Sequence, residues 1–188
     1  MMQPATLETE RLVPRPLTPD DAAAVAKVAG SREIADTTTT IPHPYSEEQA
    51  RAWIAARTSQ SSTGKEIVFA VVTREDAQLI GAVGLREIDA EHSQAEMGFW
   101  IGVPSWGRGY ATEAARRVVR YAFEELKLNR VYAHHMVRNP ASGRVLEKLG
   151  MKREGLLRQR VRKWGVFEDV VLLAILHDDW RLMTGKTA

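Results

Sequence analysis

The chain has 188 residues, 44% hydrophobic and 27% charged, with a formal net charge of +2; this suits one globular domain and leaves little room for a second core. So small a basic excess, with acidic residues interspersed, ranks a nucleic-acid-binding domain last among the readings. Cysteine is absent, which excludes a disulfide framework and a thiol nucleophile, and the five histidines show no metal-ligand spacing.

The opening "MMQPATLETERL" lacks the basic start and apolar core of a signal peptide, and no apolar run reaches the roughly 18 residues of a membrane span, so a cytoplasmic protein is expected. "ERLVPRPLTPDDAAAVAKVAG" predicts a proline-interrupted edge strand. A helix follows, with Thr18 as N-cap, Pro19 at its first position and Gly30 at its end. Pro42 and Pro44 make "TTTTIPHPY" a loop, and "SEEQARAWIAARTSQ" reads as a helix capped by Ser46. "EIVFAVVT", "AQLIGAVGLREI" and "SQAEMGFWIGV" predict three consecutive antiparallel strands.

From Tyr110 the period changes to that of a helix. Ala111, Ala114, Ala115, Val118, Val119, Ala122, Phe123 and Leu126 form one apolar stripe that must pack on a sheet. "RVYAHHMV" is a strand, "NPASGRVLEKLG" a short helix with Asn139 as N-cap and Gly150 as C-cap, and "VFEDVVLLAILH" a long buried strand. No repeat or linker divides the chain. The expectation is a single domain over residues 1–188 in the α/β (α+β) class, ordered β-α-α-β-β-β-α-β-α-β-β.

The turn "VPSWGRGYATEA" carries the first chemical signal. If a strand ends at Val103 and a helix begins at Tyr110, the amides of Trp106 to Thr112 converge on one point, and the first N–H groups of a helix have no partners within it. Gly107 and Gly109 let the backbone approach an oxygen, and Arg108 adds charge at the rim, so the turn predicts an anion site. It is not a Walker loop, because Tyr-Ala-Thr follows the last glycine, and its place after three antiparallel strands does not suit a dinucleotide fingerprint. A tight turn without a ligand remains the plainer alternative.

Together with "NPASGRVLEKLGMKREG", the opening "LETERLVPRPLTPDDA", "IPHPYSEEQARAWI" and "GVFEDVVLLAIL", this stretch resembles the Gcn5-related N-acetyltransferase (GNAT) superfamily, nearest its RimJ/RimL-like ribosomal-protein N-terminal acetyltransferases. The resemblance covers nearly the whole chain. It implies a mostly antiparallel mixed sheet of about seven strands, splayed between the fourth and fifth, with about four helices. Acetyl-CoA would lie in the split with its pyrophosphate on the turn, and no metal is implied. The family's Gln/Arg-x-x-Gly-x-Gly/Ala is met by Trp106, Gly109 and Ala111, of which Trp106 departs from the pattern.

The implied cofactor contacts are Phe99, Trp100, Ile101 and Val103, on a bulged fourth strand, with Trp106, Gly107, Arg108, Gly109, Tyr110, Ala111, Thr112, Asn139, Ser142 and Arg144. Arg138 and Arg144 are candidates for the 3′-phosphate. An amine nucleophile must first lose a proton, and Glu96 resembles the family's base, acting through a water; a strand carboxylate paired with an arginine is the structural alternative. Leu146 occupies the place of the tyrosine that many relatives use to protonate the thiolate, so Ser142 takes that role by resemblance to the RimJ/RimL-like branch. His43, Tyr45, Trp164 and Asp169 are acceptor-pocket candidates, with Trp53 and Glu168 beside them. His134 and His135 point to opposite faces of a strand, so that one can approach the substrate cleft, although a packing or surface role is the expectation. The expected reaction is direct acetyl transfer from acetyl-CoA to an amine, protein N-terminus or small molecule, without a covalent enzyme intermediate. A CoA-binding regulatory module without turnover is the alternative. Neither nucleic acid nor membrane is an expected partner, and a homodimer is left open.

Overall fold

The computed structural model describes residues 5–185; the first four residues of the stretch examined for a leader, and 186–188 of the expected domain, lie outside the described residues. The strands are β1 (Leu12–Pro16), β2 (Ile67–Thr73), β3 (Leu79–Asp89), β4 (Gln94–Ile101), β5 (Arg130–Met136), β6 (Lys152–Lys163) and β7 (Val166–Leu176). The helices are α1 (Ala22–Ala29), α2 (Arg32–Thr37), α3 (Glu47–Ser62), α4 (Tyr110–Glu124), α5 (Pro140–Lys148) and α6 (His177–Thr184). The strands make one sheet in the order β1-β2-β3-β4-β5-β7-β6, antiparallel except for β4 with β5. The mixed, mostly antiparallel sheet is therefore the expected one. Two helices, α2 and α6, exceed the expected four; at six and eight residues they are too short for a helical period to stand out.

Local chemistry explains several boundaries. Pro14 and Pro16 confine β1 to the sheet edge. The helix expected to open at Pro19 starts as a 3-10 turn, Pro19–Asp21, and becomes α1 at Ala22. Asp21 there takes the Thr18 N–H at 2.7 Å and both terminal nitrogens of Arg15 at 2.7 and 2.8 Å. Gly150 lies one residue beyond the α5 cap, Leu149, with φ +85°. β7 is not buried throughout, since Val166 and Phe167 at its start are exposed.

Alternation along β4 divides its side chains between two cores. Ala95, Met97 and Ile101 pack with Val83, Leu85 and the α4 residues Val118, Val119 and Phe123, each large side chain contributing roughly 1.5–3 kcal/mol. Trp100 points the other way, toward Val25 of α1 and Ile54 of α3. This holds β4 rigidly from both faces. Its edge is another matter: β4 and β5 pair only through Gln94–Glu96 and Arg130–Tyr132, and beyond them the strands part. The expected bulge on β4 is not found, because its register with β3 runs unbroken from Glu96 to Ile101 and shifts only between Arg86 and Asp89. The splay itself, rather than a bulge, frees the backbone edge of Met97–Ile101 from a β5 partner.

Candidate active site

The glycine turn and the split sheet form the two ends of the candidate site. Gly107 and Gly109 have φ of +75° and +79°, the left-handed region that costs an L-residue about 1–2 kcal/mol. Gly109 is the N-cap of α4. Among the described residues, the amides from Gly107 to Thr112 have no protein acceptor, and the first α4 bond runs from the Glu113 N–H to the Gly109 carbonyl. A run of unpaired N–H groups at the positive end of a helix fits a pyrophosphate. Arg11, which sequence reasoning missed, adds a guanidinium at this rim. It donates to the Arg108 carbonyl at 3.0 Å, pairs with Glu113 at 2.6 Å and lies over the Tyr110 ring. Trp106 behaves differently from the other turn residues, its indole N–H being committed to the Ile101 carbonyl at 2.5 Å.

Between β4 and β5 lies a cavity of about 280 Å³ lined by Phe99, Trp100, Asn139, Ser142, Tyr45, Trp53 and the pairs Arg57–Glu66 and Arg86–Glu96, with His134. Glu96 is buried and shares one oxygen, Oε1, between Arg86 at 2.6 Å and His134 Nδ1 at 2.8 Å. Burial acts to raise its pKa, but the hydrogen bonds from His134 and then Arg86 outweigh it and hold the carboxylate below its ordinary range. An arginine does pair with Glu96, but inside a cavity rather than in solvent. Glu96 also helps push the Tyr132 phenol up to about 12, after burial and Glu87.

At the other end of the cavity, α5 and its N-cap deliver Asn139 and Ser142. Asn139 Oδ1 accepts the Ser142 N–H at 3.2 Å, while its Nδ2 donates to Ser142 Oγ at 3.0 Å. With an acceptor lone pair of Oγ so occupied, the Ser142 O–H is directed elsewhere as a donor. Gly143 brings α5 against β5, since a Cβ there would stand 2.8 Å from His135 Nε2. His135 is further tied by Nδ1 to the Met136 carbonyl at 2.8 Å, so packing accounts for it.

The acceptor-pocket candidates separate. Tyr45 and Trp53 line the cavity; His43 is exposed, with Nδ1 2.9 Å from the Gly30 carbonyl. Asp169 is structural, its Oδ1 taking the Gln159 N–H at 2.7 Å within the β6–β7 irregularity. Trp164 sits at the exposed β6–β7 tip with Arg32 over its ring. Beside it, buried Lys163 donates to the Ile41 carbonyl at 2.8 Å. Arg138 is not free for a phosphate, because it joins Asp36 of α2 at 2.6 Å to Glu168 of β7 at 2.8 Å. Arg144 is exposed on α5. These links bring the 37–41 segment, which also lines the cavity, under the β6–β7 hairpin as a roof. Arg86 was missed because its meeting with Glu96 depends on hairpin register; the readable signal was their placement on either side of the "DAEH" turn.

Comparison with known proteins agrees with this layout. The family model described as "Acetyltransferase (GNAT) domain" matches residues 11–152. The uncharacterized N-acetyltransferase p20 of Bacillus licheniformis is 31% identical over 93% of this chain and 98% of its own. The ribosomal protein uS5-alanine N-acetyltransferase of Escherichia coli is 27% identical over 62% of this chain and 61% of its own. The crystal structure of spermidine N-acetyltransferase from Vibrio cholerae in complex with CoA and spermine superposes with a TM-score of 0.79 at 26% identity, covering 92% of this chain and 99% of that one.

Proposed function

The chain belongs to the acetyltransferase (GNAT) family, and from that premise we propose an acetyl-CoA-dependent N-acetyltransferase whose acceptor is a protein α-amine. The observation that carries the site assignment is the pairing of an unpartnered amide run at Gly107–Thr112 with the opening of β4 from β5. The turn's amides and Arg11 would hold the pyrophosphate, and the free β4 edge would line the pantetheine arm. Bound there, acetyl-CoA supplies a thioester whose carbonyl an amine can attack. Glu96 belongs to the group that relieves the amine of its proton, and Ser142 offers its O–H to the departing sulfur.

An α-amine is favoured over a polyamine by the charge state of the cavity. Its two carboxylates, Glu66 and Glu96, are already matched by Arg57 at 2.8 Å and Arg86 at 2.6 Å, so a second cationic arm would find no unmatched carboxylate among the lining residues. Relatives are named for both acceptor types, ribosomal-protein alanine and spermidine. A cytoplasmic reaction is part of the proposal, since a ribosomal-protein acceptor would be met there. The experiment is release of free CoA thiol on incubation with peptides beginning in alanine or serine, against spermidine. Turnover with the peptides and little with spermidine is expected; turnover with spermidine alone would contradict the acceptor, and none with any amine would contradict transfer.

A further inference from the structure

We infer that the group receiving the amine's proton is His134 Nε2, and that Glu96 is the residue that positions His134; the inference rests on the acetyl-transfer reading above. His134 Nδ1 lies 2.8 Å from Glu96 Oε1. An ionised carboxylate only accepts, so the hydrogen of that bond belongs to Nδ1 and the lone pair of the neutral ring falls on Nε2. His134 lines the cavity and its side chain is 17% exposed. Among the described residues no protein group bonds Nε2, nor is Nε2 among the buried polar atoms lacking a partner. It therefore opens to the cleft.

Glu96 suits the supporting place better than the accepting one. Its carboxylate is bound by a guanidinium and an imidazole N–H, both of which favour keeping it ionised and unprotonated. A base works best when its pKa lies near the operating pH, and a carboxylate held below its ordinary range does not meet that condition. The charged and titratable groups around the ring are Glu96 on β4, Arg86 on β3, Glu66 just before β2 and Arg57 on α3, with Tyr132 and His135 adjacent on β5 and Tyr45 across the cavity. α5 presents only the uncharged Asn139 and Ser142. Arg86 faces Glu96 and keeps that carboxylate charged.

In the step itself an ammonium N–H bond breaks, its electron pair stays on nitrogen, and the proton adds to the Nε2 lone pair. The imidazolium so formed is balanced by Glu96 through Nδ1–H and returns its proton to water in the cleft. The freed amine then forms the N–C bond as the C–S bond breaks; the sulfur leaves with its electron pair toward the Ser142 O–H, and the second proton of the acylated nitrogen passes through the cleft to that thiolate, giving the neutral amide and the CoA thiol.

The test compares pH profiles of kcat/KM for the wild type, His134→Gln, His134→Asn and Glu96→Gln, with acetyl-CoA Kd as the check that each variant folds. Both His134 variants should lose about 10²- to 10⁴-fold in kcat, keep acetyl-CoA binding and lose the acidic limb of the profile; His134→Ala should regain activity with added imidazole. Glu96→Gln should slow turnover yet keep an acidic limb. If the His134 variants keep rate and limb while Glu96→Gln loses both, Glu96 is itself the base and the inference falls. Nitrogen NMR of the wild-type ring should find Nδ1 protonated and Nε2 bare; the reverse tautomer overturns the inference. Inactivity of the wild type toward every amine would instead overturn the transfer reading, and this inference with it.

Discussion

At the scale of single residues, half-buried Ser142 and buried Asp21 illustrate how differently polar groups serve the chain. Ser142→Ala removes an O–H that Asn139 leaves free to donate, so kcat should fall about tenfold or more while acetyl-CoA Kd stays near the wild-type value, as read by steady-state kinetics and calorimetry. Asp21 is a stability group. Burial acts to raise its pKa, but Arg15 and the Thr18 N–H outweigh that and hold it below the ordinary carboxylate value. A depressed folded pKa contributes stability above the unfolded value of about 3.9 and loses it as pH falls through the folded value. Asp21→Asn should therefore cost about 1–3 kcal/mol at neutral pH, and urea titrations should show the gap to wild type closing below about pH 4. Glu96 was legible in the sequence because strand alternation sets its face. His134 was seen but read chiefly as a packing or surface residue, since its partner lies on a different strand and only the short parallel contact of β4 with β5 brings the two together.

At the scale of elements, the turn before α4 was the most legible feature and the roof the least. Gly107 and Gly109 announced a left-handed path, and both adopt it. Gly109→Val forces a β-branched residue to φ +79°, so it should destabilise the fold by roughly 1–2 kcal/mol and weaken acetyl-CoA binding at least tenfold by calorimetry; unchanged binding would remove the turn from the site. Arg138 reads in sequence as a candidate for the 3′-phosphate or an ordinary surface arginine, and only the folded chain shows it joining α2 to β7. Both links are partly exposed, so Arg138→Ala should cost no more than about 1 kcal/mol. Its effect should fall on acceptor KM, with acetyl-CoA Kd held, because the roof bounds the acceptor side. α2 itself went unread, as one and a half turns without a long apolar stripe leave no period to detect.

At the scale of the whole molecule, the order of strands and helices was readable from alternating and helical periods, because both faces of β4 and the buried face of α4 are packed against other elements. The geometry of the split was not: it came from resemblance, which gave the place correctly but added on β4 a bulge that the β3–β4 register does not contain. On the proposed reading one cleft serves two tasks, an amide-lined turn for an anion and a pair of parted strands for a thioester and an amine. A ligand held this way stabilises the folded state by mass action, about 2.7 kcal/mol at one hundred times its Kd, and acetyl-CoA should raise the Tm accordingly. The most direct test of transfer in this cleft is mass spectrometry of an alanine-initiated peptide and of the protein after incubation with acetyl-CoA. The account predicts one acetyl group on the peptide α-amine, an equal amount of free CoA and no acetyl group carried by the protein; an acetylated protein that later passes its group to the peptide, or a peptide left unmodified while no other amine is acetylated, would contradict it.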